Sequence, residues 1–191
     1  MAEEYRAGFR EAITQPFPPF PRDLEDKYFN AGLAYFDSFA GFEDGWEIVD
    51  SEKKFSVDIG GYQVVGIIDL IMKNPETGEF MVIDHKSKSL TSMRKELDTF
   101  LMQLYLYAMY IKETYGVWPS ILRFNLFKEG CNIDEPFREA MVEETKKWVL
   151  DTIHKIEQTT DFEVSQSSYF CRWICSALDA CPARDSILNA R

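Results

Sequence analysis

Asp69, Asp84 and Lys86 are charged residues at the ends of otherwise apolar runs, Gly66-Ile67-Ile68-Asp69 and Val82-Ile83-Asp84-His85-Lys86. Groups of that kind need a reason to sit there. Asp84 and Lys86 are two apart, so on a β-strand they project to the same face, and a hairpin through residues 74–79 would lay Asp69 beside them. Two carboxylates offer hard oxygen ligands to Mg²⁺ or Mn²⁺, and such an ion activates water and neutralises charge building on a phosphate. An adjacent lysine would then orient or deprotonate that water. The side chain of His85 points to the opposite face, packed or solvated, while its main-chain carbonyl could still reach the ion. Taken in isolation, an Asp-x-Lys pair is more often a solvated strand end or a surface salt bridge.

The elements that must position these groups are legible from periodicity. A short first helix is followed by the proline-rich stretch 16–21, which reads as a stiff linker. From Asp23 to about Phe39 apolar residues recur at helical spacing, and the Gly41 to Gly45 segment should end that helix. Period-two alternation then takes over: Phe55, Val57 and Ile59 form one strand, Gly60-Gly61 a hairpin turn, and Tyr62 to Ile71 a second strand. Asn74 to Gly78 reads as a turn before a strand from Phe80 to Lys86. A long helix is expected from about Glu96 to Tyr115, then a strand from Ile121 to Phe127. Asp134 is expected to cap a helix running to about Gln158. The order predicts a mixed α/β domain with a cysteine-bearing tail.

Together these motifs resemble the PD-(D/E)XK nuclease superfamily, and within it the RecB-type exonuclease branch. That branch reads as a Glu at a strand start, Gly-x-x-Asp, a turn, an apolar strand ending Asp-x-Lys, and a helix carrying Gln-x-x-x-Tyr. Here the matching residues are Glu52, Gly66 with Asp69, Asp84 with Lys86, and Gln103 with Tyr107. The resemblance implies a restriction-endonuclease-like α/β fold, a central mixed sheet flanked by helices. It implies that Asp69 and Asp84 are metal ligands, with Lys86 the catalytic lysine and Glu52 a supporting or second-metal carboxylate. Gln103 and Tyr107, four apart and so on one helix face, would be active-site scaffolding. Glu52 lies in a charged run, Asp50 to Lys54, that also reads as a solvated strand start. Lys88, Arg94 and Lys95, in a basic, hydroxyl-rich loop after the catalytic strand, would contact DNA phosphates.

The tail carries Cys171, Cys175 and Cys181, with Cys131 far upstream. It resembles the cysteine cluster of the iron-sulfur members of that branch, the AddB-like helicase-nuclease subunits and the CRISPR-adaptation exonucleases. An iron-sulfur cluster, zinc, or small buried thiols with no metal are the readings this leaves. Two departures stand out. Cys171 and Cys175 enclose three residues where the family has two, and the family's fourth cysteine precedes the nuclease core, where only the later Cys131 could substitute. A third departure is that no histidine precedes Ile83, although many relatives carry a metal-binding one on a helix before the first strand.

Composition sets the outer limits. The 191 residues are 46% hydrophobic and 15% aromatic, enough for a core without disulfide staples and too aromatic for a disordered chain. Two histidines exclude a multi-histidine zinc enzyme. The net charge of −11 repels nucleic acid at long range, so DNA binding would rest on a local basic patch or bridging metal ions. No apolar run suits a bilayer span, and the charged start is unlike a signal peptide, which predicts a cytoplasmic protein. The expected organisation is an N-terminal helix and linker over 1–22, a nuclease core over 23–160 and a cysteine-rich tail over 161–191 packed on that core. The expected function is metal-dependent DNA hydrolysis, as an exonuclease in recombination or repair. The alternatives are a silent or partner-dependent DNA-binding subunit of a helicase-nuclease complex and, further behind, a cysteine-centred metal or redox module.

Overall fold

The computed structural model describes residues 2–14, 17, 23–39, 44–160, 168–173 and 175–189. Most of the proline-rich stretch and residue 41, read above as linker and helix stop, lie outside them. The chain divides into two compact units, Met1–Leu150 and Asp151–Arg191.

The first unit opens with helices α1 (Ala2–Gly8) and α2 (Leu24–Ser38). Three antiparallel strands follow: β1 (Glu47–Ile59), β2 (Tyr62–Lys73) and β3 (Phe80–His85). A short helix α3 (Leu90–Lys95) and the long α4 (Leu97–Tyr115) lead to β4 (Ile121–Leu126), which pairs parallel to β3. Strand β5 (Cys131–Pro136) returns antiparallel at the edge, giving the sheet order β1-β2-β3-β4-β5, and α5 (Ala140–Gln158) follows. This is the mixed sheet flanked by helices expected of the sequence. The second unit holds the end of α5, α6 (Ser168–Trp173), a 3₁₀ turn at Leu178–Ala180 and α7 (Arg184–Asn189). In it, the Arg172 guanidinium donates to the carbonyls of Ile187 and Leu188, tying α6 to the end of α7.

Two turns set the register of the three-stranded meander. Gly60 and Gly61 take φ values of 63° and 89°, which side chains resist, so the β1–β2 hairpin closes in two residues, with Asp58 Oδ1 accepting from the Gly61 amide at 3.1 Å. In the β2–β3 turn, Asn74 Oδ1 accepts from the amides of Glu76 and Thr77, and the Asn74 amide donates to the Glu79 carbonyl at 2.9 Å. Leu70 then pairs with Ile83 and Met72 with Met81. These four pack as a buried cluster against Trp46 and Ile121. On β3, Phe80 to Asp84 are all buried and His85 is exposed, as suits a central strand reaching solvent at its end. Helix α4 is the β3-to-β4 crossover and packs on β1, β3 and β4, burying Leu101, Leu104, Tyr105, Ala108 and Ile111 among others.

Two expectations are corrected. Asp134 does not cap a helix: it lies in β5, its carboxylate gripping the buried Arg123 of β4 at 2.7 Å and 2.6 Å, and the helix starts later, at Ala140. Part of the segment Lys86 to Lys95, read as a loop, is helical: Ser89 caps α3 by accepting from the Ser92 amide at 3.2 Å, and Met93 anchors it in the core.

Gly66 is required by a close approach. A Cβ there would lie 2.7 Å from Phe55 Cε1, and the Phe55 ring is itself backed edge-on by Tyr107, centroids 5.4 Å apart. The ring therefore cannot retreat without moving Tyr107. Gly66→Val should destabilise the chain by about 1–3 kcal/mol in urea denaturation; a melt unchanged from wild type would show that the Phe55 ring has room to move.

Candidate active site

The β2–β3 register continues past Leu70 and Ile83 to set Asp69 beside Asp84. Asp69 Oδ2 accepts from the His85 amide at 2.7 Å, which fixes this carboxylate against the end of β3 and leaves its other oxygen for a ligand. Asp84 is only 2% exposed. Its Oδ2 is ion-paired with Lys86 Nζ at 2.7 Å yet receives no well-directed hydrogen bond, and its Oδ1 accepts from the Tyr107 hydroxyl at 3.3 Å.

Helix α4 supplies the third side of the site. Gln103 and Tyr107 share the face turned to the strand ends. Gln103 Oε1 accepts from Lys86 Nζ at 2.9 Å, and Gln103 Nε2 donates to the Tyr107 hydroxyl at 2.5 Å. The polar chain runs Lys86, Gln103, Tyr107, Asp84 and back to Lys86. It holds the ammonium over the carboxylate from two directions. Burial drives the Asp84 pKa up; Lys86 pulls it down, and Asp69 adds a further rise. Burial, reinforced by the Asp84 charge, also raises the Tyr107 hydroxyl well above its ordinary value, so it stays protonated and remains a donor.

Five of the six expected catalytic residues converge: Asp69, Asp84, Lys86, Gln103 and Tyr107. Glu52 does not join them. It stands between Ser51, paired with Leu70, and Lys53, paired with Ile68, and is therefore beside Asp69 in register, but it is exposed with φ of 50°. Among the described residues no group of three or more His, Cys, Asp or Glu side chains forms a metal-holding cluster. The carboxylate donors at the strand ends are thus the pair Asp69 and Asp84. That pair fits Mg²⁺ or Mn²⁺, ions bound through one or two carboxylates while water fills the remaining positions, and the buried Asp84 Oδ2, which has the Lys86 ion pair but no directed hydrogen bond, keeps lone-pair capacity for an ion. The cysteines join no such group either: Cys171 is buried in α6, Cys175 and Cys181 are half-buried, Cys131 is on β5, and none forms a disulfide.

Of the three expected DNA contacts, Arg94 and Lys95 are exposed on α3. Lys88 is engaged, paired with Glu96 at 2.5 Å and lying 4.5 Å from the Phe100 ring centroid. Phe100 also sits 5.1 Å from Lys86 Nζ, so one ring supports two lysines.

Asn125 on β4 is a residue that sequence reasoning missed. Its main-chain carbonyl accepts from the Lys86 amide at 2.9 Å, its Oδ1 meets His85 Nδ1 at 3.1 Å, and its Nδ2 donates to Asn132 Oδ1 at 2.9 Å. It pins the backbone that carries Lys86. The signal available was a lone amide at the end of an apolar strand.

A family model for the PD-(D/E)XK nuclease superfamily matches residues 2–182. No curated protein matches the chain. Among solved structures, the crystal structure of SSO0001 is similar at 21% identity, covering 96% of this chain and 81% of that one, with a TM-score of 0.42.

Proposed function

Because the chain belongs to the PD-(D/E)XK nuclease superfamily, we propose that it is a metal-dependent DNA nuclease that hydrolyses phosphodiester bonds, acting as an exonuclease of the RecB type. The observation that carries this reading is the closed contact chain of Lys86, Gln103, Tyr107 and Asp84 with Asp69 alongside. A purely structural salt bridge has no need of a second carboxylate with an oxygen left for a ligand.

Asp69 and Asp84 would hold Mg²⁺ or Mn²⁺, with the His85 main-chain carbonyl as a further oxygen donor. When bound, the ion supplies Lewis-acid activation of water and neutralises charge on the phosphate. The protein does the rest. Lys86, aimed by Gln103 and Asp84, orients the attacking water through its ammonium. Tyr107 holds Asp84 Oδ1, so the carboxylate keeps one orientation, and its other oxygen, beside Lys86, would be the one to serve the metal. Arg94 and Lys95 draw the phosphate backbone toward the strand ends, with Lys88 available once it leaves Glu96.

The finer parts of the proposal rest on the order of the sequence motifs. The spacing of the tail cysteines is the sequence feature behind an iron-sulfur or zinc site and the likeness to the AddB-like and CRISPR-adaptation branch, with a helicase or recombination protein as partner, although the described residues bring no such metal-holding group together. Metal analysis of anaerobically purified protein should find iron or zinc. A colourless sample free of both removes the cluster. No helix among the described residues is long and apolar enough to cross a membrane, and a cytoplasmic location is part of the proposal.

The test incubates the full chain with end-labelled linear single- and double-stranded DNA in Mn²⁺, Mg²⁺ or EDTA, beside Lys86→Ala. Metal-dependent shortening by the wild type alone is the expected result. Intact DNA in every lane would favour the silent or partner-dependent subunit, a reading consistent with the exposed Glu52.

A further inference from the structure

A half-open cavity of about 550 Å³ adjoins the far side of the catalytic strand end. Tyr28, Tyr35 and Phe36 of α2 line it, with Phe127 and Lys128 just beyond β4, and His85 brings the end of β3 to its wall. The Tyr35 and Phe127 rings meet edge to face at 6.3 Å, and Lys128 Nζ lies 4.7 Å from the centre of the Tyr28 ring. This surface is aromatic with a cation at its edge. Nothing in the chemistry of the carboxylates requires it.

His85 lies between Asp84 and Lys86, and alternation along a strand sends its side chain to the opposite side from theirs. One strand end therefore carries hydrolytic groups on one face and aromatic rings on the other. We propose that this cavity receives an unpaired nucleobase of the strand being cut, next to the scissile phosphate; the inference rests on the nuclease reading above and narrows its substrate to single-stranded or frayed ends.

Three features select this occupant. The volume lies in the range of sites for single small molecules, about 300–1,000 Å³, which a double helix cannot enter and one base can. The lining is aromatic, and contact between a base and aromatic rings is indifferent to which base it is, so selection is for strandedness and not for sequence. Lys128, on a chain of net charge −11, places a positive charge where the phosphate attached to that base would run.

The test uses full-length Lys86→Ala with Mn²⁺, which holds DNA without cutting it, and short single strands carrying 2-aminopurine or an abasic site at successive positions from the end. Quenching at one position, and a loss of affinity of about ten- to hundred-fold when that position is abasic, is the expected result. Phe127→Leu, confirmed folded by its melting curve, should abolish the quenching. Wild-type protein should likewise cut the abasic strand more slowly than the intact one. DNA bound and cut with no dependence on any base overturns the proposal while the nuclease reading stands. The same indifference in a chain that sediments as a dimer would give the cavity to a second copy, also overturning it. Failure to bind or cut any DNA overturns both.

Discussion

Lys86→Ala should cut linear DNA at no more than about a hundredth to a thousandth of the wild-type rate in saturating Mn²⁺, while melting within a few degrees of it. The expected loss is large because the ammonium is already placed: Asp84 and Gln103 hold it at 2.7 Å and 2.9 Å, so no reorganisation precedes its action. Stability should change little in saturating Mn²⁺ because the cation would replace the ammonium as counter-charge to Asp84, and the Lys86 backbone amide, bonded to the Asn125 carbonyl, survives the substitution. Single-turnover cleavage and circular dichroism on one preparation check both halves. Cleavage at the wild-type rate would remove Lys86 from the chemistry.

Asp84→Asn should be the second large effect, with activity and stability moving in opposite directions. The variant loses a charged ligand, so cleavage should fall by at least as much as for Lys86→Ala. In the metal-free chain, burial raises the Asp84 pKa, so the native state holds this proton more tightly than the unfolded chain does. Stability then falls as pH climbs from the ordinary carboxylate range through the raised folded value, and at neutral pH the bare carboxylate is a net cost. The amide removes that cost. Without metal, the variant should melt no lower than wild type near neutral pH, its advantage shrinking towards about pH 4. With Mn²⁺ at about a hundred times its dissociation constant, wild type should gain roughly 2.7 kcal/mol, or about 5–10 °C, and the variant should gain nothing. Thermal melts with and without metal decide it. An Asn variant that melts well below wild type at neutral pH, or keeps the Mn²⁺ shift, would show Asp84 to be a structural ion-pair partner.

The parts of this molecule legible in the sequence are those governed by short-range periodicity. Alternation and two turn signals located β1 to β3, and once a hairpin is granted, Asp69 must fall beside Asp84. Four-residue spacing put Gln103 and Tyr107 on one helix face, which is the face that meets Lys86 and Asp84. What stayed hidden depends on contacts distant in sequence. Cys131 to Pro136 is a half-exposed edge strand too polar to announce itself, and Asp134 in it is of the residue type that also caps helices. Only the buried Arg123 opposite reveals which role it plays. Asn125 gave no periodic signal because its value lies in bonds to His85, Lys86 and Asn132. Glu52 matched a motif by position, yet its left-handed backbone and exposure leave it outside the cluster, a conformation that residue type does not forecast.

The Asn74–Glu79 closure acts as a register latch. Asp69 and Asp84 lie five residues from it along either strand, about 17 Å at ordinary strand rise, yet their adjacency depends on it. Residues added within 75–78, outside the latch, leave the count along both strands untouched, so that tip can carry an epitope or a fluorophore while the catalytic end works as before. One residue inserted between Glu79 and Asp84 would turn Asp84 away from Asp69 and put a neighbour in its place. For this fold, where a length change falls relative to that hydrogen bond matters more than its distance from the carboxylates.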